Sequence, residues 1–331
     1  MSPHRPARKR HPVAVPDIAT PTSAALIHAR YLLSGRERAI LAGRASRGEL
    51  VAVARGVYVD AAAWSTMDRH ARYRTRILAT AGGFEHDTVF SHDSAAALWK
   101  LPWVGPWPRK VHITVGAATG GRSNTSVFRH TTGVPNLSEL IDGLRVTTLA
   151  RTVADVARTS SFGNAVTVAD AALRRSAFAV PDVPTAPLVR DDLLTELIGI
   201  PLHQGVVKAR RAIEFADGRA DRPGESMSRA SIHRAGLTAP CLQVPRRGLS
   251  GRVWTVDFWW PDFNVIGEFD GKWKYTDPAF MNGRTSEQVM LDEKAREDDL
   301  RAAGYGFTRW GWAVAISPAA IRTQLMAAGV R

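Results

Sequence analysis

Residues 253–275, VWTVDFWWPDFNVIGEFDGKWKY, constrain the fold more than any other stretch. Two extended runs, 254–260 and 265–272, are rich in aromatic and β-branched residues and flank Pro261-Asp262-Phe263-Asn264, which has turn chemistry. A hairpin centred between Asp262 and Phe263 pairs Trp260 with Val265 and, three steps on, Asp257 with Glu268. Directly opposed residues have β-carbons about 5 Å apart, and like charges there repel. Beyond Val265, side chains two apart share a face, so Glu268, Asp270, Lys272 and Lys274 line one side and Phe269, Trp273 and Tyr275 the other. The aromatic side explains why a strand forms. The acids need a different reason, and a divalent cation supplies one. Mg²⁺ is held by one or two carboxylates, with waters and substrate phosphate completing its octahedron. Asp257 and Glu268 are the candidate ligands for Mg²⁺ or Mn²⁺.

Upstream, RPGESMSRASIHRAG reads as a helix beginning near Gly224, with Glu225 in its first turn aimed at the same place. Lys272 lies four residues beyond Glu268 on the same strand face, where an ammonium orients an attacking water or meets charge building on a phosphate oxygen. Glu225, Asp257, Glu268 and Lys272 on helix, strand and strand resemble the PD-(D/E)xK nuclease superfamily. The stretch PGESMSR…GLTAPCLQ…VDFWWPDFNVIGEFDGKWKY…EKAREDDLRAAGYGFTRW is similar to actinobacterial domains related to very-short-patch-repair endonucleases. The resemblance covers about 110 residues and implies metal-dependent DNA hydrolysis, with Asp257 and Glu268 as ligands and Glu225 assisting. One departure leaves two registers open. The superfamily places lysine two residues after its second acid, whereas Glu268 is followed at that position by Asp270, so Asp270-Gly271-Lys272 is the alternative motif and Asp270 the alternative ligand.

Other residues of this region have plainer readings. Asp262 is a turn residue, and Lys274 is a phosphate-contacting or solvated cation. SEQVMLDEKAREDDLRAAG is a charged helix that buries Val289, Leu291 and Leu300 and offers Lys294 and Arg296 to DNA; YGFTRWGW is a closing strand whose Arg309 reaches the site or a phosphate. Most of its tryptophans are expected in the core.

The rest of the chain is more basic. Of 44 Lys and Arg and 31 Asp and Glu, 29 and 19 fall in residues 1–221, and the net charge of +13 favours a polyanionic partner. Residues 1–22 read as a disordered basic tail. Residues 23–75 give short helical patterns, with apolar faces from Leu26, Ile27, Leu32 and Leu33 and then Ile40 and Leu41, followed by LVAVARGVYV, a hairpin turning at Gly56. This outline is a winged helix-turn-helix with Arg36, Arg44 and Arg47 facing outward toward DNA. Its RGVY turn resembles the N-terminal domain of AbiEi-type antitoxins, and SHDSAAALWKLP…VHITV…RVTTLARTVADVAR, within 76–180, resembles the second domain of that family. That likeness implies a DNA-binding regulator and a toxin or defence-system protein as partner. GAATGGRSNTS lacks the spacing of a phosphate-binding loop. His92 and Asp93 read as polar residues at a helix start, with no partner clustering beside them in the sequence.

The expected architecture is therefore α/β and multi-domain. A winged-helix-like N-terminal module and an α+β middle domain lead through a linker and helices (181–221) to a restriction-endonuclease-like α/β domain (222–331) around a central mixed sheet. A single cysteine, Cys241, excludes a disulfide framework and suits a reducing cytoplasm, and no apolar run approaches the ~20 residues of a membrane span. The expected activity is Mg²⁺-dependent DNA cleavage. The alternative is a non-enzymatic, antitoxin-like regulator with a degenerate nuclease domain.

Overall fold

In a computed structural model of the chain, the structure describes residues 26–29, 34–84, 87–116, 122–135, 137–177, 187–201, 204–271 and 285–331. It is a mixed α/β protein with three sheets. The first has order β1-β3-β2 and is built from β1 (Ile27–His28), β2 (Leu50–Ala54) and β3 (Val57–Asp60). Helix α1 (Gly35–Ser46) starts where Ser34 and Glu37 form a capping box. β2 and β3 make the expected hairpin, with Gly56 at φ 68° in the two-residue loop. One described helix precedes this hairpin and two follow it, α2 (Ala61–Thr66) and α3 (Arg69–Ala81). Ile27 belongs to a strand, not to a helical face, because it pairs with Tyr58; Leu41 is buried while Ile40 stands 54% exposed. Leu32 and Leu33 lie outside the described residues.

Helix α3 crosses the expected boundary at residue 75 and puts Tyr73 and Ile77 into the core of the second sheet. That sheet runs β6-β5-β4-β8-β7, from β4 (Val89–Phe90), β5 (Val111–Thr114), β6 (Val127–His130), β7 (Ser138–Ile141) and β8 (Leu144–Thr147), with α4 (His92–Leu98) leaving β4. Four helices follow: α5 (Leu149–Thr159), α6 (Phe162–Ala177), α7 (Arg190–Gly199) and α8 (Val206–Phe215). Their alanines, among them Ala154, Ala157, Ala165, Ala169, Ala209 and Ala212, permit close helix packing, with Leu193, Leu197 and Ile213 filling the centre. The segment expected as linker and helices thus closes a core with the middle domain.

The third sheet, β12-β11-β10-β9, is mixed: β9 (Cys241–Arg247), β10 (Val253–Trp260) and β11 (Val265–Phe269) run antiparallel, and β12 (Gly306–Trp310) lies parallel to β11. Helix α9 (Pro223–Arg234) precedes it, α10 (Ser286–Ala302) lies between β11 and β12, and α11 (Trp312–Ala315) and α12 (Pro318–Ala327) end the chain. Proline in the first turn of α9 removes only an N–H that has no helical partner there. The hairpin pairs Trp260 with Val265 and Phe258 with Gly267, the register expected from its turn. One face of the sheet packs Phe258, Trp260, Phe269 and Trp310 against α9 and α12; the other packs Trp259, Ile266 and Phe307 against Leu300 of α10. β11 stops at Phe269, short of the expected Lys272. Leu291 turns outward, 60% exposed, while Val289 and Leu300 are buried as expected. Among the described residues no helix is long and apolar enough to cross a membrane.

Gly267 has no room for a side chain, because a Cβ there would lie 2.7 Å from the Trp310 ring and 2.8 Å from that of Trp260. Gly267→Ala is expected to destabilise the protein by roughly 1–3 kcal/mol through overpacking, read from denaturant midpoints at unchanged slope. Wild-type stability would mean the two rings yield.

Candidate active site

Regular alternation along β9 and β10 fails at one point, and the site forms there. Val256 and Val244 face the α10 side, yet Phe258 and Leu242, two residues away on each strand, face the α9 side. The registers Val256↔Val244 and Phe258↔Leu242 bracket Asp257 and Gln243. Gln243 adopts φ 51°, in the left-handed region that costs a non-glycine residue on the order of 1 kcal/mol or more. Both strands change phase at this pair, which frees its side chains from either core.

Glu225, 2% exposed in the first turn of α9, meets this pair. Its Oε2 accepts from Gln243 Nε2 at 2.9 Å and from the Asp221 N–H at 2.9 Å. The same Gln243 amide reaches Asp257 Oδ1 at 3.3 Å, and Asp257 Oδ2 accepts from the Phe269 N–H at 3.0 Å. Burial first, and the Asp257 charge second, push the Glu225 pKa well above the ordinary carboxylate value; the Asp221 N–H and the Gln243 amide only partly offset them. The two acids open into a cleft of about 460 Å³ that Arg252, Trp254 and Arg296 also line. The Arg252 guanidinium lies 3.8 Å from the centre of the Trp254 ring, and the Trp254 indole N–H donates to Asp299 at 2.8 Å.

The carboxylate that the described contacts bring to Asp257 is thus Glu225, where the hairpin register alone pointed to Glu268. Glu268 stands one ladder step beyond Phe258–Gly267, on the α10 side. It accepts from Arg296 at 2.5 Å and from Arg309 at 3.5 Å. Arg309 also pairs with Glu293 and Glu297, so this expected DNA contact is held among three carboxylates. Burial lowers the Arg309 pKa, but those charges outweigh it and the net shift is upward. Arg296, offered to DNA by the sequence, also donates to the Thr255 carbonyl. Asp270 lies just past the strand; its N–H donates to the Trp310 carbonyl, and its buried Oδ1 has no hydrogen-bond partner among the described residues. Lys272 and Lys274 lie outside the described residues. Among the described residues no three His, Cys, Asp or Glu side chains converge as a metal cluster. Two carboxylates are enough for Mg²⁺, which keeps several of its waters, so the Glu225–Asp257 pair fits as a donor set.

At the end of α1, Arg44 pairs with Glu49 and Asp60, and Arg47 with Glu49, so one acid holds two of the three arginines expected to face DNA. Arg36 is exposed on α1 and makes no ion pair among the described residues.

No protein-family model and no solved structure matches the chain. Two uncharacterized proteins of Mycobacterium tuberculosis, one from each of two strains, are 35% identical to it over 165 residues. The match covers 50% of this chain and 54% of each relative, so the chain spans about half the length of the curated relatives it matches.

A second polar cluster went unseen in the sequence, where His92 looked isolated. The His92 ring, buried at the start of α4 with φ 51°, stacks on His130 at 3.4 Å between centroids. His130 Nε2 lies 3.1 Å from His112 Nδ1, and His92 Nδ1 lies 3.7 Å from Asp155 Oδ2, itself fully buried and bonded to Arg151. Two strands and two helices distant in sequence deliver these groups, so no local spacing announces them. Burial lowers all three rings, His112 to about 4 and His130 to about 3, and raises Asp93 to about 7 and Asp155 to about 6.

The rings therefore stay neutral in the folded chain, whereas the unfolded chain protonates them near pH 6.5. They contribute stability above that pH, and it is lost as pH falls from about 6.5 toward 4. Asp93 and Asp155, with raised values, act oppositely, adding stability as pH falls from about 7 to 4. His130→Phe isolates the imidazole part. Relative to the variant, wild type should lose about 2 kcal/mol between pH 7 and pH 5 in denaturant unfolding. Equal losses in the two proteins would contradict a neutral buried His130.

Proposed function

We propose that the chain is a divalent-metal-dependent endonuclease acting on DNA, with the Glu225–Asp257 pair as its metal cradle. The observation that carries this reading is a buried carboxylate, Glu225, and a half-buried one, Asp257, on one shared amide, beside a cleft that three arginines, Arg222, Arg252 and Arg296, also line. Like charges so placed raise each other's proton affinity, and a cation in place of the proton reverses the sign of the interaction. Bound Mg²⁺ or Mn²⁺ would neutralise phosphoryl charge and make a water molecule more acidic. Glu225 and Asp257 would hold it, and the Gln243 amide and the Phe269 N–H keep Asp257 oriented. Arg252 and Arg296 stand at the cleft where a phosphodiester backbone would pass. Lys272, two residues beyond Asp270, is the candidate to orient the nucleophile. The basic N-terminal region would add duplex affinity through phosphate contacts, with Arg36 foremost on α1.

One observation favours a second reading. Glu268 is already compensated by Arg296 and Arg309. A nuclease fold that has lost one working acid to ion pairing would bind DNA without cutting it, as an antitoxin-like regulator does.

Incubation of the full-length protein with supercoiled plasmid in Mg²⁺, Mn²⁺ or EDTA separates the two. Nicking that EDTA abolishes is expected, and Asp257→Asn should slow it roughly a thousandfold, the equivalent of several kcal/mol of transition-state stabilisation. Binding without cleavage in either metal would leave the regulator. The second ligand is settled by metal affinity: Glu225→Gln should weaken Mn²⁺ binding as Asp257→Asn does, and Glu268→Gln and Asp270→Asn should not. Loss confined to Glu268→Gln or to Asp270→Asn would move the metal to that residue.

A further inference from the structure

We propose that Asp170 and Arg174 of α6 are positioning residues for Glu225, so that the helical middle unit is part of the nuclease site and not a tethered neighbour. This rests on the carboxylate-site reading above. The two residues stand four apart, one turn along α6, on the same side of the helix. Each grips the chain on a different side of Glu225.

Asp170, 1% exposed, accepts from the Arg229 guanidinium at 2.7 Å and from the Asp217 N–H at 2.7 Å. Arg229 lies one turn after Glu225 on α9 and spends its other terminal nitrogen on the Phe215 carbonyl at 2.8 Å. One carboxylate therefore ties the end of α8, the turn after it and α9 to α6. Arg174 pairs with the Asp221 carboxylate, and the Asp221 backbone N–H is one of the two donors on Glu225 Oε2. The intervening loop is pressed against α6: a Cβ on Gly218 would come 3.0 Å from the Arg174 nitrogen and 3.2 Å from Leu173. The α9 helix and the Asp221 turn thus reach the cleft with their position set by α6. Supporting partners of this kind orient metal-binding carboxylates, and their loss typically costs 10–100-fold in metal affinity or activity.

A merely structural role would lower stability alone. A direct DNA contact would raise KM alone. Positioning predicts a third pattern for Arg174→Gln in the full chain, at a site partly open to solvent. Mn²⁺ affinity, by titration calorimetry, should fall about tenfold and kcat about 10–100-fold, with KM for DNA and Tm close to wild type. Arg174→Lys, which keeps a charge for Asp221, should recover most of both. Hydrogen exchange at the Asp221 amide, which donates to Glu225, should quicken in Arg174→Gln and return in Arg174→Lys. Asp170→Asn should reproduce the metal and kcat losses if it folds; if it does not, Arg174→Gln decides alone. Wild-type Mn²⁺ affinity and wild-type Asp221 exchange in Arg174→Gln would overturn the proposal, as would a loss seen wholly in KM. Should wild type neither bind Mn²⁺ nor cut DNA, the nuclease reading fails, and Asp221 exchange still tests positioning: faster exchange upholds it and unchanged exchange overturns it.

Discussion

Glu225, buried, and Asp257, half-buried, share one side-chain amide, an unfavourable pairing of like charges on which the cleft of the C-terminal domain is built. Desolvation and mutual repulsion both work against ionisation of Glu225. The fold partly offsets this with two donors on Glu225 and a backbone N–H on Asp257. Bringing the acids together also requires Gln243 in a left-handed conformation and a phase change in two adjacent strands.

Glu268 faces α10, across the sheet from α9, and it is stabilised by Arg296 and Arg309. Arg296 lines the cleft as well, so a phosphate entering there would compete with Glu268 for one guanidinium. Arg296 thus stands between the cleft and Glu268.

Much of this was legible in the sequence because local chemistry controlled it. The proline-bearing turn set the β10–β11 register, Pro223 and Gly224 marked the start of α9, and the run ending at Trp310 formed the closing strand. The residues missed are those placed by tertiary contact. Glu225 and Asp257 were both expected at the site, but Gln243, which joins them through its amide, has no turn chemistry and gave no sign of its part. The histidine cluster is assembled from β5, β6 and α4 with Asp155 of α5, so each member looks ordinary in its own segment. Asp170 and Arg174 likewise read as a polar face of α6 until α9 is laid beside them.

Anomalous diffraction from crystals of the full-length protein grown with Mn²⁺ would locate the proposed metal. The proposed cradle predicts one strong peak within coordination distance of an oxygen of Glu225 and an oxygen of Asp257, with Glu268 still on its arginines. A peak seated on Glu268 and Asp270, away from Glu225, would contradict it.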